Sequence, residues 1–424
     1  MRLIFCVMMV SAVFAQTRTL SLKEAVEQAL RLNPEIVLAR LEEKKAREQI
    51  RIARDPFVPK VFAGSGVAYS YGFPMSIEGS APSVLQVRGV ASVFNKPLSA
   101  RVAQATESAK ATAIDTEAKR EEVALETANV FLDAVRWART AEAIRGQVEA
   151  MQRSAETVEA RVREGRELEI ESRRAVLGVA KTKHRHALIE EQQDYAEGML
   201  AAVIGLEAPG RVRPVLAGPL AIETPPSEEA ALRLALGASK DLRKLEASVL
   251  VKQLAVKEHD AARLPTLDLV AQYGLFAKFN NYEDFFRRFQ RHNGQLGVSV
   301  QVPLFKSPAA EAQASQARTD LDALRTRMGQ TRARIAVNVR NVWRQAQLTD
   351  EGRQIARADL ELAREQVTVL LAQVEEGRAT LRQMEEARFA EQEKWIAYHE
   401  AQMLAERARL ALAKVAGNLL TALQ

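Results

Sequence analysis

Apolar residues recur every seven positions between residues 123 and 162, and this period constrains the fold more than any other feature. The two lines of the repeat are Val123, Val130, Trp137, Ile144, Met151 and Val158, and Ala134, Ala141, Val148, Ala155 and Val162. Two such lines form an a/d seam, which indicates a coiled-coil helix. No proline interrupts residues 98 to 208, so about 67 residues before Gly165 form one helix roughly 100 Å long. A compact globule cannot contain a helix of that length.

Gly165 ends this helix, and a returning helix runs to about Gly205. Glycine suits such a turn because it accepts the positive φ of a tight helix exit. The stretch from 98 to 205 therefore predicts two long antiparallel helices joined by a very short turn.

The chain contains this unit twice. The tripeptide Glu-Gly-Arg at 164–166 recurs around Gly377, and Gly205 recurs as Gly417, both 212 positions later (377 − 165 and 417 − 205). At an offset of 206, Ala25 and Ala29 recur as Ala231 and Ala235. The seven-residue spacing recurs at Ile335, Val342, Ala356, Ala363 and Leu370. These matches indicate a tandem duplication of a unit of about 200 residues.

The N-terminus has the pattern of a secretory signal peptide over residues 1–15. Arg2 precedes an apolar run from Leu3 to Phe14, and Ala15 completes a small-residue cleavage pattern. The run is shorter than the ~20 residues of a membrane-spanning helix. The single cysteine, Cys6, lies within this segment, so we expect no disulfide and no cysteine metal site in the mature chain.

Two helices precede the first predicted strands. Ser21 and Glu24 have the spacing of a capping box, which opens a short helix to about Leu32. Asn33-Pro34 ends this helix and restarts a second one, because proline is accepted in a first turn but not in a helix interior. The second helix is expected to run to about Asp55.

The hydrophobic period then changes to two, which predicts a strand hairpin at about 61–93 and another at about 267–302. The clearest strand is the last one, in which Leu296, Val298, Val300 and Val302 alternate with small or polar residues. In a soluble sandwich the apolar face would belong to the core. In an outer-membrane barrel it would face lipid while the polar face lines the lumen.

The number of strands favours the barrel. Each copy supplies one hairpin, so the chain has four predicted strands, which are too few to close a barrel. Unpaired strand edges cost several kcal/mol per backbone group in hydrocarbon, so several chains must share one barrel. Three copies would supply twelve strands, an even number within the usual range, together with six helical hairpins.

The order and spacing of these elements resemble the TolC-type outer-membrane efflux proteins over the whole mature chain. The resemblance rests on the segment Leu20–Leu30 with Asn33-Pro34, the strand-to-helix passage Val300–Phe305, and the turn glycines Gly165 and Gly377. It implies a homotrimer of chains that have a mainly α fold with a small β part. Duplicated long antiparallel helical hairpins would form an α-barrel tunnel in the periplasm, and four strands per chain would contribute to a twelve-stranded trimeric transmembrane β-barrel in the outer membrane.

The resemblance also implies partners. In such ducts the helical turns meet the hairpins of a periplasmic adaptor (membrane fusion) protein, which is bound to an inner-membrane pump. The candidate partner-binding residues are Arg163, Glu164, Gly165, Arg166, Glu375, Glu376, Gly377 and Arg378. The alternative is that both glycines only turn the chain. Outer-membrane lipid is expected as a further partner, and nucleic acid is not, since the formal charge of +6 forms no basic stripe.

Family members often close the tunnel entrance with acidic residues shortly after the second turn glycine. Here Ala379 and Gln383 are neutral where some relatives are acidic, so Glu385 and Glu386 are the candidate entrance ring. A threefold ring of carboxylates would narrow the entrance and attract cations. The alternative is that these glutamates are ordinary solvated helix positions.

No catalytic, cofactor or metal site is expected. The five histidines are dispersed, and the sequence contains neither a phosphate-binding loop after a strand nor a nucleophile elbow. The segment Phe285–Arg291 has two interpretations. Its aromatic and basic residues would meet lipid headgroups, or the loop would pack on its own barrel mouth.

The predicted organisation is a signal peptide at 1–15, a first repeat at 16–206, a proline-rich linker at 207–227 and a second repeat at 228–424. The long helical hairpins are expected at about 98–205 and 306–417. The predicted function is a passive exit duct of a tripartite efflux or type I secretion system. The alternative is a periplasmic coiled-coil adaptor or structural protein, which explains the helices and signal peptide but leaves the two strand hairpins unexplained.

Overall fold

The computed structural model describes residues 18–66, 83–206, 212–216, 218, 220, 222–276, 290–305 and 308–423. The predicted signal peptide, Cys6 and most of the segment Phe285–Arg291 lie outside the described residues.

The first described helices confirm the predicted capping box and proline break. Strand β1 (Arg18–Leu20) precedes α1 (Leu22–Leu32), which Ser21 and Glu24 cap reciprocally. Helix α2 (Pro34–Arg54) follows, and a 3-10 turn at Asp55–Phe57 ends it. At the break, the Asn33 amide donates to the Val203 carbonyl at 2.9 Å. This buried bond fastens the corner between α1 and α2 to the end of a helix 170 positions later.

Two long helical hairpins dominate the chain, as predicted. Helix α3 (Lys96–Arg163) turns into α4 (Glu169–Val203), and their counterparts are α7 (Pro308–Glu375) and α8 (Leu381–Ala416). Both outgoing helices have 68 residues. Prolines occur only in their first turns, where the missing N–H has no intrahelical partner to lose. The shorter helices of the second repeat are α5 (Glu228–Ala238), α6 (Lys240–Ala261) and α9 (Leu419–Leu423).

The strands form a four-stranded antiparallel sheet from both repeats. The first hairpin pairs β2 (Lys60–Gly66) with β3 (Ser83–Phe94), and the second pairs β5 (Thr266–Phe276) with β6 (His292–Gln301). The hairpins join through β3 and β5, so the strand order is β2-β3-β5-β6. Strand β2 and strand β6 are therefore the two edges of this sheet.

The sequence analysis missed one strand pair. Within the predicted linker, β4 (Val212–Pro214) pairs in parallel with β1, and each strand has only three residues. Strands this short carry no measurable alternation, and Pro214 argues against a strand. Val212 is nevertheless fully buried.

The chain forms two compact units that cut across the repeats. One unit contains residues 18–39, 117–239 and 332–423 of the described chain, and the other contains residues 40–116 and 240–331. The first unit is helical except for the pair β1 and β4. The second contains the four-stranded sheet with parts of α2, α3 and α7 and the whole of α6.

The core of the helical unit contains the predicted seam. Val123, Ala134 and Ile144 are fully buried, together with Phe131 and Leu132. Nearer the turn the seam is only half-buried, at Met151 and Val158. The equivalent alanines of the two repeats also behave alike: Ala25 and Ala29 are fully buried and Ala231 and Ala235 nearly so. The duplication is thus visible in packing as well as in sequence.

Candidate channel wall and helical turns

The register of the four-stranded sheet separates two kinds of face. Leu267 lies opposite Val300, and Leu269 lies opposite both Val298 and Ala91. Directly opposed residues of antiparallel strands point to the same side of the sheet. Following the register across all four strands gives one largely apolar face, on which His292, Gly89 and Gly294 also lie. Its apolar residues are Val61, Ala63, Leu85, Val87, Ala91, Leu267, Leu269, Ala271, Tyr273, Leu275, Leu296, Val298 and Val300.

The other face of the sheet is largely polar. One row across it consists of Phe62, Arg88, Gln272 and Gln295. The remaining polar residues of this face are Lys60, Gln86, Ser92, Thr266, Asp268, Asn293, Ser299 and Gln301, with glycines and valines between them. An apolar face backed by a polar face is the pattern of a barrel strand between lipid and a water-filled lumen.

The apolar face has no core to cover it within the described chain. Leu296 is 78% exposed and Val298 is 61% exposed. A soluble sandwich would bury these side chains against a second sheet. The exposure therefore distinguishes the two interpretations left open by the alternation, and it favours a lipid-facing surface.

The first helical turn, between α3 and α4, centres on Gly165. Its φ of 74° is left-handed, and the amide of Arg166 donates to the carbonyl of Arg161 at 2.8 Å. Glu164 and Arg166 form an ion pair at 3.2 Å, and Arg163 pairs with Glu159 at 3.1 Å. The left-handed residue and the bond across it are the usual helix C-terminal motif.

The second turn, between α7 and α8, repeats this geometry. Gly377 has a φ of 71°, and the Arg378 amide donates to the Gln373 carbonyl at 2.7 Å. Glu376 pairs with Arg378 at 3.2 Å, the same distance as the equivalent pair of the first turn. The structure thus places the two predicted groups of turn residues in equivalent conformations, exposed to solvent.

The two turns differ in how the next helix begins. Thr380 and Gln383 cap α8 with a reciprocal capping box, so the N-cap residue of this helix is polar. At the first turn the capping position is Leu168, which makes no side-chain cap and is 71% exposed. Sequence analysis did not distinguish the turns, although the absence of Ser, Thr, Asp or Asn at this position was a usable signal.

The two candidate entrance glutamates have different partners. The Ser154 hydroxyl on α3 donates to Glu385 at 2.6 Å, which links the two repeats. Glu386 instead accepts from the Arg382 guanidinium of its own helix at 3.0 Å. The bond to Glu386, followed by the charges of Glu386 and Glu171, raises the pKa of Arg382. Glu385 therefore has a neutral hydrogen-bond donor as its partner, whereas Glu386 is ion-paired.

A charged cluster between α7 and α8 was not foreseen. Asp350 accepts from Arg353 and Gln354 of its own helix and from Arg409 of α8, the last at 2.8 Å. Burial acts to raise the pKa of Asp350, but the bonds and charges of these neighbours hold it below its usual value. The neighbouring Glu406 is 2% exposed, and burial raises its pKa despite the charge of Arg409. This cluster fastens the second hairpin.

His399 on α8 packs against Trp395 with the two rings tilted by 57° and their centroids 4.0 Å apart. Burial, followed by the charge of Arg139, lowers the pKa of this imidazole to about 4. At neutral pH the ring is therefore uncharged. Arg139 lies 3.3 Å from its Nδ1, which accepts a hydrogen bond in the neutral ring.

Within the described ranges, no group of three or more His, Cys, Asp and Glu side chains has the arrangement of a metal site. None of the described helices combines the length and the apolar character needed to cross a membrane.

Comparison with known proteins identifies a family whose model matches each of the two repeats. A family model described as outer membrane efflux protein matches residues 25–206 and 231–424. A search of curated proteins found no match.

Several solved structures have a similar fold. VceC from Vibrio cholerae is 18% identical, with 93% of this chain and 96% of that chain covered and a TM-score of 0.72. The CmeC outer membrane channel of Campylobacter jejuni is 15% identical, with coverages of 94% and 86% and a TM-score of 0.75. The open state of the MtrE outer membrane channel of Neisseria gonorrhoeae is 16% identical, with coverages of 94% and 89% and a TM-score of 0.74.

Proposed function

The chain belongs to the outer membrane efflux protein family, and from this membership we propose that it is the outer-membrane exit duct of a tripartite efflux system. The observation that carries the proposal is the two-faced sheet with its exposed apolar side. Such a sheet needs lipid on one face and water on the other. The duct is passive, and an inner-membrane partner supplies the energy. The proposal assigns the chain no enzymatic activity.

The working form that we propose is a homotrimer. Four strands cannot close a barrel, and the edges β2 and β6 of one protomer can pair with the edges of its neighbours. Three copies then close a twelve-stranded barrel without an unpaired edge. The half-burial of the seam at Met151 and Val158 supports further helix contacts between protomers.

The helical hairpins then form the periplasmic tunnel, with both turns at its entrance. We assign the residues 163–166 and 375–378 to contact with a periplasmic adaptor protein that is bound to an inner-membrane pump. The equivalent conformations and exposed ion pairs of the two turns support this assignment. A member described in an open state, MtrE, supports an entrance that can open.

Glu385 and Glu386 are the proposed entrance ring. In a trimer each position would occur three times around one axis. Glu385 is the stronger candidate because its partner Ser154 is uncharged.

The alternative of a soluble coiled-coil adaptor does not account for the sheet. The apolar face spans both hairpins and all four strands, so a soluble protein would expose it to water.

The test is fractionation of cells that produce the full-length protein, followed by native mass determination of the detergent-extracted material. We expect the protein in the outer-membrane fraction, released only by detergent, with three times the mass of the mature chain. A monomer or dimer that leaves the membrane in buffer alone would reject the duct and favour the adaptor.

A further inference from the structure

We infer that a half-open cavity in the helical unit binds a small organic anion with at least two carboxylate or phosphate groups. The cavity, here called the arginine cavity, has a volume of about 460 Å³. Helix α3 lines it with Arg139 and Arg145, and helix α4 lines it with His186 and Glu190. Strand β4 contributes Arg213, and the residues that follow it contribute Leu216.

Arg139 is held in place without a counter-ion. Its guanidinium donates to the Leu216 carbonyl at 3.4 Å and contacts the Nδ1 of His399 at 3.3 Å. Both partners are neutral, so they orient the group and leave its charge uncompensated. No carboxylate pairs with it in the described part of the chain.

The charge of Arg139 lowers the pKa of the neighbouring His399. After burial, it is the largest cause that holds the pKa of His399 low. A half-buried cation without a carboxylate is costly, because a less polar environment weakens its solvation. An anion in the cavity would remove this cost.

The other cations of the cavity divide into paired and unpaired groups. Arg145 lies 3.9 Å from Glu142, and His186 lies 3.4 Å from Glu190. For Arg213, as for Arg139, the described residues contain no carboxylate within ion-pair distance. Apart from His186, three arginines face two glutamates in the lining, a formal charge of +1 (3 − 2).

The geometry defines the class of ligand. A guanidinium binds carboxylate or phosphate through paired hydrogen bonds, and two arginines without a carboxylate partner suit a molecule with two such groups. The volume exceeds that of a single inorganic ion and lies in the usual range for sites of small organic molecules.

The arginine cavity is separate from the proposed adaptor contacts. Arg139 precedes Gly165 by 26 positions (165 − 139) on one continuous helix, which is about 39 Å at 1.5 Å per residue. Failure of the anion site would therefore leave the proposed duct untouched.

The test is isothermal titration calorimetry of the detergent-solubilised full-length protein at low ionic strength, with citrate and inorganic pyrophosphate as probes. We expect at least one probe to bind, with a stoichiometry of one per chain. Binding of citrate alone would identify a carboxylate site, and binding of pyrophosphate alone a phosphate site. The absence of binding by both would overturn the inference.

Four variants make the test specific. Arg139→Gln and Arg213→Gln are each expected to weaken binding at least about tenfold, and Arg139→Lys is expected to weaken it less because it keeps the charge. Arg233→Gln, an exposed arginine outside the cavity, is the matched control and should bind normally. Because Arg213 is exposed on a linker, its variant keeps the test valid if Arg139→Gln fails to fold. Unchanged affinity in both glutamine variants would show that the probe binds outside the arginine cavity, as an adventitious ion only, and would overturn the inference.

Discussion

Four glycines in the described part of the chain adopt left-handed backbone conformations, yet their surroundings differ. Gly165, Gly205, Gly377 and Gly417 have φ values between 71° and 80°. A Cβ would meet nothing within 4 Å at the two turn glycines. At Gly417 it would lie 2.2 Å from the Cβ of Ala238, and at Gly205 it would lie 2.9 Å from the Cβ of Leu32. The turn glycines are therefore needed for conformation alone, and the other two also for space.

This difference predicts unequal costs for alanine substitutions. Gly165→Ala and Gly377→Ala should destabilise the protein by about 1 kcal/mol each through backbone strain. Gly417→Ala and Gly205→Ala should cost about 2–4 kcal/mol, because an overlap with packed atoms adds to the strain. Thermal unfolding of the four variants, compared at equal detergent concentration, measures the difference. Equal losses at all four positions would contradict the packing of Gly205 and Gly417.

A second prediction at this scale concerns His399. Removing the positive charge in Arg139→Gln should raise the pKa of His399 from about 4 towards 6.5. Burial, the largest cause of the low pKa, and the charge of Arg364 both remain in the variant, so the shift should be partial. Trp395, at 4.0 Å, is the reporter, since a protonated imidazole quenches indole fluorescence.

The midpoint of fluorescence against pH should therefore move upward in the variant, and His399→Gln should abolish the transition. In the wild type, the unfolded chain binds the proton more readily between pH 6.5 and 4. Stability should accordingly fall as the pH drops through this range. A midpoint that is insensitive to Arg139 would contradict the proposed electrostatic contact.

At the scale of elements, the sheet predicts opposite responses at neighbouring positions of β6. Val298 lies on the apolar face and Ser299 on the polar face. Val298→Lys places a charge towards lipid, which costs up to about 2–4 kcal/mol near the bilayer midplane. Ser299→Lys places the same charge in the lumen and should be tolerated.

The measurement is the amount of heat-resistant trimer in isolated outer membranes. Val298→Lys should reduce it strongly, and Ser299→Lys should leave it close to wild type. The reverse order would show that the register assigned to β6 is displaced by one residue, since such a slip exchanges the two faces.

The elements that the sequence predicts are those in which a hydrophobic period extends over many residues. The heptads from Val123 to Val162 and the alternation from Leu296 to Val302 extend over enough residues to identify a helix and a strand. The pair β1 and β4 has three residues per strand, and no period can be read from so few. The pairing of β3 with β5 joins strands from two distant hairpins, so the local sequence of either hairpin does not predict it.

The same limit applies to the candidate sites. The turn glycines were predictable because the requirement for a positive φ is local. The partners of the entrance glutamates were not: Ser154 lies 231 positions from Glu385. The arginine cavity likewise depends on the fold, because Arg139 and Arg213 line it from separate segments of the chain. The sequence identifies such residues as charged, but only the fold shows which of them lack a partner of opposite charge.

At the scale of the whole molecule, the entrance predicts the ion selectivity of the duct. If three Glu385 carboxylates surround the opening, Glu385→Gln should lower the preference for cations in planar bilayer recordings. Glu386→Gln should have a smaller effect, since Arg382 already neutralises that group. Arg382→Gln should increase cation preference by releasing Glu386.

The reversal potential in a salt gradient measures all three effects. Glu159→Gln serves as a matched control, because Glu159 is exposed on the outgoing helix and pairs with Arg163. Identical reversal potentials in wild type and variants would remove Glu385 and Glu386 from the conducting path.

The edges of the sheet also bear on how such a protein reaches its destination. A newly exported protomer carries two strands with unsatisfied hydrogen-bonding groups, and the apolar face between them is exposed. These are the features that lead to misassembly and aggregation. The irregular register between Gly64 and Gly66 shortens the regular part of the β2 edge, but β6 pairs regularly over its whole length. A protomer is therefore open to misassembly along β6 until a neighbouring strand pairs with that edge.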